Sequence, residues 1–125
     1  MTVALANITF DCADAARLAA FWSAAIGRPV DDGASEHFAS IGIARTEGDG
    51  STGPTGDAGP TWLFCGVPEG KTAKNRMHVD LMADDRPAEV ERLVGLGATH
   101  VTDVDEWGHQ WAVLRDPEGN EFCVA

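Results

Sequence analysis

The chain has no tyrosine, only three cysteines and no long apolar run. Cys12, Cys65 and Cys123 are odd in number, far apart and outside any CxxC pair, so a disulfide framework is not indicated. No apolar run approaches the ~18 to 20 residues that a bilayer requires, and no basic stretch precedes an apolar core near the first residue. A soluble, cytoplasmic protein with reduced thiols is therefore expected.

Basic side chains are scarce as well. The sequence holds 20 acidic residues against 9 basic ones, for a formal net charge of -11. Such a chain repels a phosphate backbone and an anionic membrane surface, so neither nucleic acid nor membrane is expected as a partner. The acidity either serves solubility or favours a cationic ligand.

Two segments of the chain resemble each other, residues 5 to 30 and residues 76 to 101. In each, a strand of alternating character runs into an aspartate that can cap an amphipathic helix, and a glycine ends the helix. The aspartates are Asp14 and either Asp84 or Asp85, and the glycines are Gly27 and Gly97; the opening strand of the second segment is predicted over 77 to 82. The apolar stripes that should be buried against a sheet are Leu18, Phe21, Trp22, Ala25 and Ile26 in the first helix and Val90, Leu93 and Val94 in the second. The repeat predicts two small modules that face each other around a shared hollow.

The predicted organisation is a single domain of 125 residues. It consists of a first module over residues 1 to 67, a linker over 68 to 76 and a second module over 77 to 125. Further strands are predicted at 37 to 44, 60 to 67, 98 to 104, 109 to 115 and 120 to 125. The fold class is α+β, with two βαβββ modules that form a cupped, barrel-like mixed sheet and place the helices outside. Residues 46 to 60, rich in Gly, Pro, Ser and Thr, are interpreted as a mobile loop.

Alternation along the strands predicts which side chains face the hollow. Apolar residues such as Phe10, Val79 and Phe122 belong under the helices, and their neighbours then point to the other face. The predicted inward set is Asn7, Thr9, Asp11, Leu63, Cys65, His78, Asp80, Glu121 and Cys123. Because several unpaired carboxylates are costly in a dry interior, this set predicts a wetted ligand pocket.

Two residues of a predicted turn, Trp107 and His109, join the candidate ligand-binding set. An aromatic ring at Trp107 either folds back over the mouth of the hollow or covers a ligand, and His109 could supply a polar contact. Trp62 and Trp111 lie in strands where either face is possible.

The closing segment LRDPEGNEFCVA (114 to 125) resembles the DPxGN hairpin of the vicinal oxygen chelate superfamily. This group includes glyoxalase I, bleomycin-resistance proteins and extradiol dioxygenases. The paired βαβββ order and the helix ends in IG and LG are similar too, over essentially the whole chain. The segment KNRMHVDL (74 to 81) is more narrowly similar to glyoxalase-like domain proteins.

The resemblance implies four inward positions where metal-dependent members carry His or Gln and Glu ligands. Here those positions hold Asn7, Cys65, His78 and Cys123, and only His78 matches. Two thiols in place of two carboxylates do not suit Mg, Mn, Ni or Fe(II), although Zn could be held. No metal and no cofactor are therefore expected.

The resemblance favours a protein that binds a small organic molecule between its modules, and a homodimer is expected. The alternative is a lyase, isomerase or dioxygenase with a non-standard metal, or with His78 as a base assisted by Asp80. A thiolate of Cys65 or Cys123 activated by His78 is a third possibility, weighed against a buried thiol that packs as a small hydrophobe. Whether the protein is an enzyme stays open at this point.

Overall fold

A computed structural model describes residues 2 to 43 and 59 to 125. The chain divides into two compact units, one up to Gly70 and one from Lys71 to Ala125. Among the described residues, no helix is both long and apolar enough to cross a membrane. Most of the predicted 46 to 60 loop, and Ala44 at the end of a predicted strand, lie outside the described residues.

The first unit is a three-stranded mixed sheet with one helix. Its elements are β1 (Asn7–Cys12), α1 (Ala15–Ile26), β2 (Phe38–Ile41) and β3 (Thr61–Gly66). The strand order is β1-β3-β2, with β1 parallel to β3 and β2 antiparallel to it. The described residues of this unit thus run β-α-β-β.

Helix α1 begins and ends as the sequence predicts. The Asp14 side chain accepts a hydrogen bond from the Arg17 N–H at 3.1 Å, and Gly27 ends the helix in the left-handed region with φ 71°. The predicted stripe is buried most deeply at Leu18 and Trp22. Trp22 packs against Trp62 of β3, with ring centroids 5.2 Å apart, so Trp62 belongs to this core.

The second unit is a four-stranded mixed sheet with one helix, in the predicted βαβββ order. Its elements are β4 (Asp80–Leu81), α2 (Arg86–Leu96), β5 (Thr99–Glu106), β6 (His109–Arg115) and β7 (Glu121–Val124). The strand order is β4-β7-β6-β5; β4 runs parallel to β7, and the other pairs are antiparallel. Together the two units establish the α+β class.

Helix α2 is capped by Asp85, whose side chain accepts a hydrogen bond from the Ala88 N–H at 3.1 Å. Leu93 is buried as predicted. The prediction that Val94 belongs to the buried stripe is wrong, because its side chain is 43% exposed. Successive residues of a helix are rotated by about 100°, so Val94 points away from the row in which Leu93 is buried.

Two strand predictions need correction. The strand predicted over residues 77 to 82 is reduced to Asp80–Leu81, so His78 lies just before a strand and not within one. The strand predicted over 98 to 104 continues to Glu106 and contains an irregularity between His100 and Thr102. Pairing with β6 as far as His109 extends β5 beyond the end that the sequence pattern indicates.

The closing hairpin is organised around Asp116, which is 3% exposed. Its side chain accepts hydrogen bonds from the backbone N–H of Glu118 at 2.9 Å and of Asn120 at 3.0 Å, and from Asn120 Nδ2 at 3.1 Å. Gly119 has φ 88°, which a residue with a side chain rarely adopts. This turn sets the register in which Arg115 pairs with Glu121 and β7 returns along β6.

Candidate functional site

The second unit carries a cavity of about 540 Å³ on one face of its sheet. This volume lies within the range of ~300 to 1,000 Å³ that is typical of small-molecule sites. The wall, mostly apolar, is formed by Lys74, His78, Asp80, Trp107, His109, Gln110, Trp111, Val113, Glu121, Cys123 and Ala125. Six of the predicted site residues are in this set: His78, Asp80, Trp107, His109, Glu121 and Cys123.

Strand alternation explains this composition. Phe122 and Val124 of β7 are buried together with Leu114 of β6, on the face that α2 covers. Glu121, Cys123 and Ala125 therefore point to the opposite face. Register pairing places Asp80 and Val113 beside Cys123 on that same face.

His78, Asp80 and Cys123 form a cluster at one side of the cavity. His78 Nδ1 lies 2.8 Å from Asp80 Oδ1, and one ligand atom from each of the three residues lies within 4.8 Å of the others. An ionised carboxylate only accepts hydrogen bonds, so Nδ1 carries the proton and Nε2 is the ring nitrogen that can accept in the neutral imidazole. The ring is therefore oriented in the way that a general base requires.

Cys123 is not an activated thiolate in this setting. Burial raises the pKa of the Cys123 thiol, and the negative charge of Asp80 and a hydrogen bond to it raise the pKa further, while the charge of Lys74 opposes them. A catalytic thiolate needs the reverse, a positive environment that lowers the pKa. The possibility that Cys123 acts as a nucleophile with His78 is therefore not supported.

The resemblance to metal-dependent proteins implies a divalent metal, and the donors of this unit can be tested for it. His78, Asp80 and Cys123 offer one imidazole, one carboxylate and one thiol with a raised pKa. Mg and Mn prefer oxygen-rich sites, and a thiol must lose its proton before it can bind any metal. The donor set does not fit Mg or Mn, whereas Zn accepts imidazole, carboxylate and thiolate ligands.

Glu121 serves the fold of the cavity wall. Its carboxylate is 10% exposed, lies 2.9 Å from Lys71 Nζ and accepts the Asn75 N–H at 3.2 Å. Burial alone would raise the pKa of Glu121, but the Lys71 ammonium and the Asn75 N–H together hold the pKa below the ordinary value. The prediction that Glu121 contacts a ligand stays a prediction, and its bonds also make it the anchor of residues 71 to 75.

Trp107 occupies a strained position at the rim. Trp107 and Gly108 form the two-residue turn between β5 and β6, with φ 53° and φ 76°, the signs of a type I′ turn. A non-glycine residue in this region costs about 1 to 3 kcal/mol. Trp107 is 83% exposed, and its ring stacks on Trp111 with centroids 6.3 Å apart and planes 22° apart. Whether the Trp107 ring folds back over the mouth of the hollow or covers a ligand stays a prediction.

Several wall residues were absent from the sequence prediction. Trp111 and Val113 alternate with Ala112 and Leu114, which are apolar too, so periodicity gave no signal for the face. Only the register with Cys123 assigns Val113 to the cavity. Lys74 comes from the predicted linker, where no pattern applies.

The predicted site residues of the first unit share one face of its sheet. Thr9 pairs with Leu63 and Asp11 with Cys65, while Asn7 pairs with Thr61 at the start of the strand. Asn7, Thr9 and Asp11 are exposed, and Leu63 and Cys65 are half-buried. That they join the residues of the second unit at one site stays a prediction.

Comparison with known proteins identifies the family. The family model of the glyoxalase-like domain matches residues 7 to 125. No curated protein sequence shows significant similarity to the chain.

Solved structures agree with this match in fold. A glyoxalase/bleomycin resistance protein/dioxygenase family enzyme from Burkholderia phytofirmans PsJN is 18% identical, with a TM-score of 0.68 and coverage of 98% of this chain and 97% of that chain. A genomically encoded fosfomycin resistance protein from Listeria monocytogenes is 14% identical, with a TM-score of 0.70 and coverage of 99% and 93%.

A third similar structure is the bleomycin-binding protein of Streptomyces verticillus in complex with copper(II)-bleomycin. It is 16% identical, with a TM-score of 0.59 and coverage of 100% of this chain and 97% of that chain. At these identities the likeness establishes the fold, while the family match covers nearly the whole sequence. The chain therefore belongs to the glyoxalase-like domain family, and it shares its fold with solved glyoxalase/bleomycin resistance/dioxygenase proteins.

Proposed function

We propose that the protein binds a small organic molecule in the cavity of its second unit, by stacking and hydrogen bonds and without the usual divalent metal. The observation that carries this proposal is the wall itself. It combines two stacked indole rings with a few polar groups at a volume of about 540 Å³. Ligand sites are usually apolar concavities in which a small number of polar groups fix the orientation of the ligand.

Two similar folds support binding as the function. The bleomycin-binding protein of Streptomyces verticillus holds copper(II)-bleomycin, and the Listeria monocytogenes protein confers resistance to fosfomycin. The donor chemistry of His78, Asp80 and Cys123 supports the absence of a hard metal. We also expect a homodimer, which sedimentation of the purified protein would test.

A cavity-filling variant tests the proposal directly. Val113 is half-buried on the cavity face of β6, so Val113→Phe should place its ring in the cavity and abolish binding. The control is Val101→Phe at an exposed position of β5 that does not line the cavity. A panel of small aromatic and aliphatic compounds would be screened by thermal shift and indole fluorescence, since a ligand that binds only the folded state raises the melting temperature.

The expected result is at least one compound that stabilises the native chain and Val101→Phe but not Val113→Phe. Failure of every compound, or equal binding to Val113→Phe, would remove the proposal.

A second candidate function is supported by the His78–Asp80 pair. A base held by a carboxylate at 2.8 Å can remove a proton from carbon next to a carbonyl group, as lyases and isomerases do. Incubation of a bound carbonyl compound in D₂O tests it, because proton abstraction replaces C–H by C–D in the NMR spectrum. Exchange that is lost in His78→Gln would support an enzyme, and a native rate no faster than buffer would exclude this chemistry for that compound.

A further inference from the structure

Lys74 differs from the other charged side chains of the cavity wall in its lack of a partner. Asp80 is bonded to His78 at 2.8 Å, and Glu121 to Lys71 at 2.9 Å. Lys74 forms no hydrogen bond or ion pair within residues 2 to 43 and 59 to 125. Among the described residues, Glu121 thus has a cation as its partner and Asp80 has the His78 ring as its hydrogen-bond partner, whereas the ammonium group of Lys74 has neither an anion nor an acceptor.

The fold holds Lys74 at the cavity. Lys71 and Asn75, on either side of it, are both bonded to the half-buried Glu121. Lys71 also donates to the Ala73 carbonyl oxygen, and Asn75 Nδ2 donates to Asn120 Oδ1 at 3.4 Å. Lys74 is exposed at the cavity wall, and its charge acts to lower the pKa of the Cys123 thiol of the same wall.

Trp107 is the second residue whose environment indicates a ligand. Its positive φ is a conformation that Asn or Gly adopts with less strain, and its ring is too exposed for core packing to compensate. Strained residues of this kind concentrate at functional sites. With Trp111 it forms a two-ring wall, the Trp107–Trp111 platform, against which a flat molecule can stack.

We infer that the ligand of this cavity is a planar aromatic anion, whose ring stacks on the Trp107–Trp111 platform and whose negative group pairs with Lys74. This inference rests on the proposed binding function and specifies its ligand class. The sign of this ligand is opposite to that of the cationic ligand, which is one of the two alternatives that the overall charge leaves open.

The charged groups that contact the ligand, and not the net charge of the chain, decide the sign of the ligand charge. The field of the net charge of -11 is screened over ~8 Å at physiological salt, whereas Lys74 acts at contact distance. Glu106 and Arg115 point to the same sheet face but lie at opposite ends of the β5–β6 ladder and outside the cavity wall. A cation would find only carboxylates that already hold partners.

Three probes of one ring system test the charge: naphthoate, naphthylmethanol and naphthylmethylammonium, each titrated by calorimetry. The native chain should bind naphthoate about tenfold more tightly than the neutral alcohol, and the ammonium probe least. Lys74→Gln should remove the preference for naphthoate. Arg76→Gln, a neighbouring exposed cation that does not line the cavity, should keep it.

A Trp107→Asn variant tests the platform. Asn-Gly is a favoured pair for a type I′ turn, so this variant should unfold at a higher temperature than the native chain. It should nevertheless bind all three probes about tenfold more weakly. Greater stability with weaker binding is a combination that a merely structural Trp107 would not produce.

The ligand class and the binding function are contradicted by different results of these experiments. Ammonium binding as tight as that of naphthoate, or full affinity in Trp107→Asn, overturns the inference, while blockage by Val113→Phe would still support a binding cavity. If none of the three probes binds, the aromatic anion is excluded, and only failure of the wider panel excludes binding itself.

Discussion

His78 Nδ1 lies 2.8 Å from Asp80 Oδ1, two residues along the chain and at the edge of a cavity. His78 lies two residues before Asp80, at the start of β4, and both side chains line the same cavity. It orients the imidazole, and it places a negative charge beside the Cys123 thiol. Each of these consequences can be measured.

Replacement of Asp80 should make Cys123 more reactive. In Asp80→Asn the charge that raises the pKa of the Cys123 thiol is lost, so more thiolate is present near neutral pH. Alkylation by iodoacetamide at pH 8 should accelerate about two- to tenfold, as followed by peptide mass spectrometry. Cys65, in the first unit, is an internal control whose rate should not change. An unaltered Cys123 rate would contradict the role of Asp80.

Loss of the Glu121 anchor should destabilise the protein in a pH-dependent way. Glu121→Gln weakens the bonds to Lys71 and Asn75 and should cost about 1 to 3 kcal/mol of unfolding free energy at pH 7. Because the pKa of Glu121 is lowered in the folded state, this stabilisation is present above the unfolded pKa of about 4.3. It is lost as pH falls through the folded pKa.

Urea unfolding of the native chain and Glu121→Gln at several pH values would check this, and the two curves should converge in acid. Glu89→Gln is the matched control. The pKa of Glu89 is also lowered, chiefly by its hydrogen bond with Arg92, but that pair lies on the surface of α2. Loss of the Glu89–Arg92 pair should lower the unfolding free energy by less than loss of the Glu121 bonds does. A constant difference between native and Glu121→Gln across the whole pH range would contradict the prediction.

The closing hairpin should depend on Asp116. Asp116→Ala leaves the N–H groups of Glu118 and Asn120 without their acceptor and should lower the unfolding free energy by about 2 to 4 kcal/mol. Asp116→Asn keeps a carbonyl oxygen for these donors and should lose less. Denaturant unfolding of both variants measures the difference. Equal losses would show that the carboxylate acts by its charge and not as an acceptor.

Metal content gives a test of the expected chemistry. Purified without a histidine tag, the protein should hold well under one equivalent of Ni, Mn, Fe or Mg, and added metal should not produce methylglyoxal-glutathione isomerase activity. The reason is that this chemistry needs a Lewis acid with hard donors and open positions, which Asn7, Cys65 and Cys123 do not provide. Elemental analysis of the purified protein checks the metal content, and an isomerase assay with added metal checks the activity.

Two results of the elemental analysis would contradict the expected low metal content, and each would have a different meaning. Stoichiometric metal bound through His78, with activity lost in His78→Ala, would favour the enzyme over the binding protein. Stoichiometric zinc held by thiols without turnover would instead identify a structural site.

The local architecture was predictable from the sequence because it depends on short-range rules. Asp14 and Asp85 cap their helices through N–H groups three residues away, and DPEGN makes its turn within five residues. Alternation likewise predicted that Cys123 and Asp80 share a face opposite Phe122, since the period of a strand is two residues. Family membership followed from these same segments.

Tertiary structure decided what periodicity cannot express. Trp111 and Val113 face the cavity only because the register of β6 with β7 places them there, in a strand where both faces are apolar. The bonds from Lys71 and Asn75 to Glu121 join groups more than forty residues apart and bring Lys74 to the wall. The strain at Trp107 is a backbone angle, which no side-chain pattern encodes. Sequence thus determined the order of the elements and the faces of strands with alternating character, whereas long-range pairing determined the face of β6 and which charges remained available to a ligand.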